Sequence, residues 1–196
     1  MIKWYFCSLH KFEFGSEINT VNINNINYLF VYPNNLNIIK NLNIKFDENL
    51  EKLIHYLEQG MIDFIFVFYD KYNFIHHSGV SFNKIGLDKF FSNFQDRKYA
   101  VIGPTYTNPI YRGKNFYQKA ISLQIKNILS KYKMQDIYIS SDAKHKNSKA
   151  FKSNHMINFS SGFSVSFFKK VFFFLVYGKG FKLRIFLNNS LLFQIN

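Results

Sequence analysis

One stretch near the middle of the chain combines features that suit phosphate binding. It runs from Thr107 to Tyr117, with the sequence Thr-Asn-Pro-Ile-Tyr-Arg-Gly-Lys-Asn-Phe-Tyr, between a predicted strand and a predicted helix. The start of a helix presents unpaired backbone N–H groups at the positive end of its dipole. Gly113 lets the backbone approach an anion closely, and Arg112 and Lys114 add positive charge. On the residues alone, an ordinary strand-to-helix loop with two solvated cations is the favoured interpretation, and a diphosphate site is the alternative.

Two neighbouring histidines could serve acid–base chemistry. His76 and His77 are adjacent in a predicted strand, where successive side chains point to opposite faces, so only one of them can face a given cleft. Histidine has an intrinsic pKa suited to taking a proton from an ammonium group. Asp142, just beyond another predicted strand, is a third candidate that could orient or deprotonate an acceptor. The competing interpretations are a surface histidine pair on a hairpin and an aspartate that caps a helix.

The other histidines and the single cysteine do not indicate a metal site. His10, His55, His145 and His155 show no metal-ligand spacing with Asp, Glu or Cys. The lone Cys7 excludes a disulfide scaffold and a cysteine-based zinc site, and it is typical of a reducing compartment. We therefore predict no metal and a cytoplasmic location.

No targeting or membrane-spanning segment is evident in the sequence. Met1–Leu9 lacks a long apolar stretch and a small-residue cleavage site. The most apolar run, Val171–Tyr177, spans seven residues, whereas a membrane helix needs roughly 20.

Composition and charge narrow the class of protein. The 196 residues are 47% apolar and 20% aromatic, which excludes overall disorder. Residues 1–98 carry ten basic and ten acidic side chains, whereas residues 99–196 carry fifteen basic and two acidic ones. The whole net charge of +13 therefore lies in the second half. Such a field favours an anionic partner there, such as a nucleotide cofactor, a nucleic acid or an acidic membrane surface, unless it is only a lysine-rich solvated surface.

The positions of apolar residues predict the elements that hold these side chains. Leu50, Leu53, Ile54 and Leu57 follow the spacing of one buried stripe, which predicts a helix over Asp47–Gln59 whose start Asp47 can cap. Further helices are predicted at Asn115–Lys131, with Ile121, Ile125, Ile128 and Leu129 on one face, and at Asn147–His155. Strands are predicted at Trp4–Ser8, Tyr28–Tyr32, Ile62–Tyr69, Phe74–Phe82, Tyr99–Thr107, Asp136–Ser141, Phe159–Phe168 and Val171–Tyr177.

This order of elements predicts a mixed α/β (α+β) fold, neither regularly doubly wound nor all-β. Ile62–Tyr69 is apolar on both faces, so we expect it to be central in a sheet and paired as a hairpin with Phe74–Phe82. Pro104 lies inside a predicted strand and cannot donate a ladder hydrogen bond, which predicts a bulge or a splayed edge there.

The loop resembles the coenzyme A loop of the GNAT acetyltransferase superfamily, in which a strand ending in V-x-P leads through x-[YF]-[QR]-G-x-G-x-[GA] into a helix. The first five specified positions of this pattern, from V to the first G, are occupied here by Thr107, Pro109, Tyr111, Arg112 and Gly113. Asn115 and Tyr117 stand where the family usually has glycines. Asn tolerates a positive φ better than other non-glycine residues, so the first change is mild, whereas Tyr117 is much bulkier.

A second stretch, Asn147–Phe159, resembles the family's N-x-x-A-x-x-x-Y-x-K-x-G-F helix and cap. Asn147, Ala150 and Phe159 match it, and Asn158 replaces the glycine at the helix end. Asn154 replaces the tyrosine that often protonates the departing thiolate, and an amide cannot take that role. The resemblance covers roughly residues 46–177 of what we expect to be one GNAT-like domain over residues 1–196.

The resemblance implies acyl transfer from acetyl-CoA, or a related acyl-CoA, to an amine or a hydroxyl. It implies a mostly antiparallel sheet whose central strands splay, with the pantetheine in the gap and backbone N–H groups at Tyr106 and Thr107 polarising the thioester. The implied coenzyme-binding residues are Tyr106, Thr107, Arg112, Gly113, Lys114, Asn115, Phe116, Tyr117 and Asn147. No catalytic base is implied, so His76, His77 and Asp142 stay as candidates.

The acceptor and the alternative function remain open at the level of sequence. A small molecule, a sugar or a protein amine would each suit the acyltransferase hypothesis, and no oligomeric state follows. The alternative is a non-catalytic basic nucleic-acid-binding module, supported by the charged half but lacking an RNP-type strand, a zinc finger or a GxxG loop. The aromatics and lysines of Phe167–Phe174 could stack bases or touch a membrane surface, but the favoured interpretation is two core strands joined by the charged Lys169–Lys170 turn.

Overall fold

A ten-stranded sheet organises the described part of the chain. The structure is a computed structural model, and it describes residues 2–13, 26–83, 98–142, 148–167, 170–178, 181–187 and 190–195. The strands are β1 (Ile2–Phe12), β2 (Asn27–Val31), β3 (Phe64–Tyr69), β4 (Phe74–Phe82), β5 (Tyr99–Thr107), β6 (Asp136–Asp142), β7 (Met156–Phe167), β8 (Lys170–Gly178), β9 (Phe181–Leu187) and β10 (Ser190–Ile195). The helices are α1 (Asn37–Lys40), α2 (Glu48–Glu58), α3 (Phe116–Lys131) and α4 (Ser148–Ser153), with 3₁₀ turns at Pro33–Asn35 and Pro109–Tyr111.

The sheet is mixed and mostly antiparallel, as predicted. Its strand order is β10-β9-β8-β7-β1-β6-β5-β4-β3-β2. Neighbours pair antiparallel except β5 and β6, which are parallel and are joined by α3. The first strand of the chain therefore lies inside the sheet, paired with β6 on one side and β7 on the other.

Helix α2 covers one face of the sheet. Leu50, Leu53, Ile54 and Leu57 are buried, which confirms the predicted stripe. They pack in one cluster with Ile65 and Val67 of β3. The Asp47 carboxylate accepts hydrogen bonds from the backbone N–H groups of Asn49 and Leu50, each at 2.9 Å, and so caps the helix as expected.

Helix α3 covers the opposite face. Ile121, Ile125 and Ile128 are buried against apolar residues of β5 and β6, namely Ala100, Ile102, Ile137 and Ile139. Leu129, predicted on the same face, is 37% exposed instead. It follows Ile128 by one residue, a rotation of about 100°, which carries its side chain off the buried stripe.

Strand β3 is buried on both faces, which explains its continuous apolar run. Phe64, Phe66 and Phe68 lie on the α3 side, while Ile65 and Val67 lie on the α2 side. Its neighbours are β4, in the predicted hairpin, and the edge strand β2. The prediction that this strand is central in the sheet is wrong, because it lies one place from the edge. Its two faces are both apolar because a helix covers each of them.

The structure corrects several predictions in the two end regions. Strand β1 extends well beyond Trp4–Ser8, because both of its edges are paired. Strands β9 and β10 were not predicted. Asn158 lies within β7 and not at a helix end; the left-handed residue after α4 is His155, with φ 52°. The expected turn at Lys169–Lys170 falls partly outside the described residues, and Lys170 already belongs to β8.

Candidate functional site

The parallel strands β5 and β6 diverge partway along their length. Their pairing runs from Tyr99–Asp136 to Ile102–Ile139 and stops there. Beyond this point β5 continues beside β4 as far as Thr107, while β6 continues beside β1 as far as Asp142. We call the space between residues 103–107 of β5 and residues 140–142 of β6 the strand gap. The splayed central strands expected from the GNAT resemblance are therefore present.

The divergence begins at a bulge in β5. In the pairing of β4 with β5, Ser78 faces Thr105 and Val80 faces Ile102, so Gly103 and Pro104 together stand opposite the single residue Gly79. Two residues opposite one define a bulge, which bends the strand that carries it. The irregularity predicted at Pro104 is confirmed.

The hydrogen-bond register of β5 decides which backbone groups face the strand gap. Asn108 N–H donates to the carbonyl of Ile75 at 3.0 Å, so this pair is a hydrogen-bonded one. Bonded and non-bonded pairs alternate in an antiparallel ladder. Tyr106 therefore directs its backbone groups at His77 of β4, whereas Thr105 and Thr107 direct theirs at the strand gap. Of Tyr106 and Thr107, only the latter offers its N–H to that space.

The loop after β5 contains two left-handed residues. Gly113 has φ +77°, and a side chain placed there would meet no atom within 4 Å. Asn115 has φ 62°, which agrees with the tolerance of asparagine for this region. Two such residues turn the chain sharply from the strand into α3 and leave the backbone between them open to solvent.

The two cations of this loop lie against aromatic rings. Arg112 Nε donates to the carbonyl of Thr107 at 3.0 Å, and its guanidinium lies 5.9 Å from the ring centre of Tyr106. Lys114 Nζ lies 5.4 Å from the ring centre of Tyr111. Both side chains are exposed, so both charges stay available to an anion.

The first turn of α3 is uncapped, unlike that of α2. Asn115 stands at its N-cap without a side-chain hydrogen bond to the helix, and no acidic residue lies in the first turn. The helical ladder begins with Lys119 N–H, which donates to the carbonyl of Asn115 at 3.0 Å. In the part of the chain that the structure describes, the N–H groups of Phe116, Tyr117 and Gln118 have no acceptor. These amides form a positive helix end beside Arg112 and Lys114.

Phe116 and Tyr117 hold this helix end to the sheet. Phe116 is buried and its ring lies 6.0 Å from that of Phe68. The hydroxyl of Tyr117 forms a hydrogen bond with the side chain of Thr105. Burial raises the pKa of Tyr117 to about 12, in spite of the lowering by that hydrogen bond, so the phenol keeps its proton. The bulky residue at the family's glycine position is thus accommodated between the first turn of α3 and β5.

His76 and His77 lie on opposite faces of β4, as their adjacency predicted. His76 Nδ1 lies 2.8 Å from Thr107 Oγ1 on the α3 side, and its ring is 5.9 Å from that of Tyr117. Complete burial, with a smaller contribution from the charge of His77, lowers the pKa of His76 to about 3. A neutral imidazole is therefore its form near pH 7, and both histidines are 1% exposed, not a surface pair.

His77 pairs with the capping aspartate of α2. Its Nε2 lies 3.1 Å from Asp47 Oδ2, and its ring stacks on that of Tyr106 at 5.2 Å. Partial burial alone would raise the pKa of the Asp47 carboxyl, but the hydrogen bonds from His77, Leu50 and Asn49 outweigh it and hold that pKa below its ordinary value. The buried Nδ1 of His77 has no hydrogen-bond partner among the described residues.

The second predicted motif lies only partly within the described residues. Asn147 lies outside them, and Asp142 is placed by its backbone alone, at the end of β6 opposite Cys7. Asn154 is buried: it donates to the carbonyls of Gln118 at 3.1 Å and of Ala150 at 2.9 Å, and it accepts a short hydrogen bond from Ser122. Through these hydrogen bonds, the side-chain amide of Asn154 fixes α4 to α3.

Among the residues that the structure describes, there is neither a cluster of metal ligands nor a membrane-spanning helix. No three histidine, cysteine, aspartate or glutamate side chains among them converge as metal ligands would, and the predicted absence of a metal stays a prediction. None of their helices combines the length and apolar character that a bilayer crossing requires.

Sequence reasoning missed two residues that contact the loop, Asp70 and Asn73. They form a hydrogen-bonded cluster with Tyr111 between the β3–β4 turn and the loop. Tyr111 itself was noted only as the aromatic position of the motif. The partners lie about 40 positions away in the chain, so only the pairing of β4 with β5 could reveal the contact.

No protein-family model and no curated protein sequence matches this chain. Among solved structures, it is similar to a GNAT-family protein from Novosphingobium aromaticivorans DSM 12444, with a TM-score of 0.51 and 8% identity, over 83% of this chain and 63% of that one. It is also similar to a GNAT-family acetyltransferase from Colwellia psychrerythraea, with a TM-score of 0.50 and 13% identity, over 81% of this chain and 54% of that one. The chain spans less than two thirds of the length of either protein. The GNAT resemblance is thereby confirmed at the level of the fold: this chain has the architecture of the GNAT acetyltransferases.

Proposed function

We propose that the protein is an acyltransferase that moves an acetyl or related acyl group from acyl-CoA to an amine or hydroxyl. The observation that carries the proposal is the position of the strand gap directly beside an uncapped, cation-flanked helix end. A coenzyme A thioester has the matching shape, with a dianionic diphosphate at one end of a narrow polar arm. The GNAT-like fold supports the same assignment.

In this proposal the diphosphate binds at the start of α3. The unpaired N–H groups of residues 116–118 point toward it, and Arg112 and Lys114 neutralise its charge. The open space over Gly113 lets the phosphate oxygens approach the backbone. Asn115, Phe116 and Tyr117 act through their backbone and by fixing the helix end, not through charged side chains.

The pantetheine arm would then occupy the strand gap. The N–H of Thr107, directed at that gap, donates to an acceptor of the arm, and nearby β5 backbone polarises the thioester carbonyl. The acceptor nitrogen or oxygen attacks the carbonyl carbon, the C–S bond breaks, and coenzyme A leaves as a thiol. One such hydrogen bond to the developing oxyanion is worth about 3 kcal/mol of barrier, and positioning of the two reactants contributes further.

For the proton acceptor, the structure supports His77 over His76. His76, with its pKa near 3, is too weak a base to take a proton from an ammonium group. His77 is oriented by a carboxylate, as in catalytic histidine–aspartate pairs, and keeps a free ring nitrogen. Asp142, at the β6 side of the strand gap, remains the third candidate.

The acceptor is a small molecule, a sugar or a protein amine. We propose that residues 1–196 form one domain of this kind, best matched over 46–177, that acts in the cytoplasm and needs no metal.

The test is binding of acetyl-CoA to the purified protein by calorimetry and by thermal shift. We expect acetyl-CoA to raise the melting temperature. Arg112→Glu should abolish that rise, because it places a negative charge against the diphosphate. Lys126→Glu is the matched control, since it reverses an exposed charge of α3 two turns from the candidate site and should bind as the wild type does.

The proposal is wrong if acetyl-CoA neither binds nor stabilises the wild-type protein at millimolar concentration. Salt-sensitive retention of nucleic acid in that case would favour the basic binding module instead, because counterion release makes such binding fall steeply with salt.

A further inference from the structure

A carboxylate in the β3–β4 turn reaches across to the loop after β5. Asp70 Oδ1 accepts hydrogen bonds from the backbone N–H groups of Tyr72 and Asn73, each at 2.8 Å, and so builds the turn itself. Its second oxygen, Oδ2, accepts a hydrogen bond from the hydroxyl of Tyr111 at 2.6 Å. Asn73 Nδ2 donates to the same hydroxyl at 3.3 Å. The turn therefore holds the side chains of Asp70 and Asn73 where both form hydrogen bonds with the hydroxyl of Tyr111 in the loop.

A second connection anchors the start of the loop. Asn108 N–H donates to the carbonyl of Ile75 at 3.0 Å, and its side-chain Nδ2 donates to the carbonyl of Phe74 at 3.4 Å. Asn108 Oδ1 accepts from Ile110 N–H at 3.3 Å and begins the 3₁₀ turn that carries Tyr111. The start of that short turn is thus bonded to β4 through Asn108, and its end is bonded to the β3–β4 turn through Tyr111.

The ring of Tyr111 links this connection to the candidate diphosphate site. It packs edge-to-face on Phe116, the first residue of α3, at 6.0 Å, and lies under the Lys114 ammonium. The hydrogen bond to Asp70, followed by burial, raises the pKa of Tyr111 above its ordinary value. Burial alone would raise the pKa of Asp70, but the bonds from Tyr111, Tyr72 and Asn73 outweigh it and lower that pKa. Near pH 7 the pair is therefore a phenol and a carboxylate.

We propose that Asp70 and Tyr111 are positioning residues for the acyl donor: their hydrogen bond holds residues 112–115 in the shape that presents the α3 amides to the diphosphate. This inference rests on the proposed function. The loop contains two left-handed residues, Gly113 and Asn115, and the hydrogen bonds of Arg112 to the carbonyls of Pro109 and Thr107 hold only its first part, so without the bond between Asp70 and Tyr111 it would sample more conformations. A looser loop pays its ordering entropy when the ligand binds, which weakens the affinity for the donor.

The decisive variant is Tyr111→Phe, which removes one hydroxyl and leaves the ring against Phe116 and Lys114. We expect the Kd for coenzyme A, measured by calorimetry, to rise on the order of 5- to 20-fold, which is part of the worth of one hydrogen bond to a charged acceptor, because the bond already exists in the free protein. In a thiol-release assay the KM for acetyl-CoA should rise by a similar factor while kcat stays near the wild-type value. Tyr72→Phe is the matched control, because that phenol is in the same turn and 72% exposed, and its Kd should not change.

A second variant tests the carboxylate from the other side. Asp70→Ser keeps a side-chain acceptor for the turn but is too short to reach Tyr111. It should weaken coenzyme A binding as much as Tyr111→Phe does, and combining the two changes should add little, because both remove the same bond.

Different results would contradict the proposed function and the positioning role of Asp70 and Tyr111. A wild-type protein that fails to bind coenzyme A overturns the proposed function, and this inference with it. A wild-type protein that binds, beside a Tyr111→Phe variant with the same Kd, overturns the positioning role alone. A lower melting temperature of that variant at unchanged Kd has the same consequence, because the bond would then serve stability only.

Discussion

His77 Nε2 lies 3.2 Å and 3.1 Å from the two carboxylate oxygens of Asp47, the residue that also caps helix α2. One carboxylate thus fixes the start of α2 and orients a buried imidazole of β4. The contact joins the helix on one face of the sheet to the strand next to β5, whose Tyr106 ring stacks on the same imidazole.

Substitution of Asp47 should separate its two roles. Asp47→Ala removes the cap, worth about 1 kcal/mol, and leaves both nitrogens of a buried histidine without a partner, which costs on the order of 1–3 kcal/mol more. Asp47→Asn keeps a good capping side chain and an acceptor for His77, so it should recover most of the loss. Urea unfolding at pH 7 measures both free energies.

The contribution of Asp47 to the free energy of unfolding should depend on pH. The pKa of Asp47 is lower in the folded protein than its ordinary 3.8, so its contribution is present above that value and is lost as the pH falls through the folded pKa. The advantage of the wild type over Asp47→Asn should shrink in that range. Equal stabilities of the Ala and Asn variants at pH 7 would contradict the assigned double role.

His76 should make the protein sensitive to mild acid. Its pKa is about 3 when folded against 6.5 when unfolded, so the unfolded chain binds a proton first and stability falls as the pH drops below about 6.5. Linkage gives a loss of about 2 kcal/mol between pH 7 and pH 5. Chemical unfolding at the two pH values measures it.

The variant His76→Gln isolates this effect. It is less stable than the wild type at pH 7, because a buried site is altered, but the part of the pH dependence that comes from His76 should disappear. If both proteins lose the same free energy between pH 7 and pH 5, His76 is not the group that titrates.

Gly113 should matter for ligand binding more than for folding. Gly113→Ala meets no atom, but its φ of +77° strains an alanine by about 1 kcal/mol, and relief of that strain moves the loop. We expect weaker coenzyme A binding by calorimetry. Gly60→Ala is the matched control, because Gly60 has φ +67° and open space after α2, far along the chain from the loop.

The two glycine variants should lose similar stability in urea unfolding and differ only in affinity. A Gly60→Ala variant that loses coenzyme A affinity to the same extent would show that the effect is general destabilisation and not the path of the loop.

Local pattern was sufficient for the elements at the centre of the chain. The apolar stripe of α2 and the Asp47 cap depend on neighbours within two turns, and both were predicted from spacing alone. Strands β4 and β5 have the predicted bounds, because turn-forming residues flank them in the sequence, such as Asn73 before β4 and Pro109 after β5. The positive φ of Asn115 likewise follows from what an asparagine backbone tolerates.

Only the tertiary structure could decide which distant residues meet. The full length of β1 depends on pairing with β6 and β7, which lie more than a hundred positions away. The contacts of His77 with Asp47 and of Tyr111 with Asp70 cross 30 and 41 positions. The direction of the Thr107 N–H depends on the ladder register with β4. Sequence periodicity reports which face of an element is buried, whereas a site is made by the register and packing between elements, and those are set by the whole sheet at once.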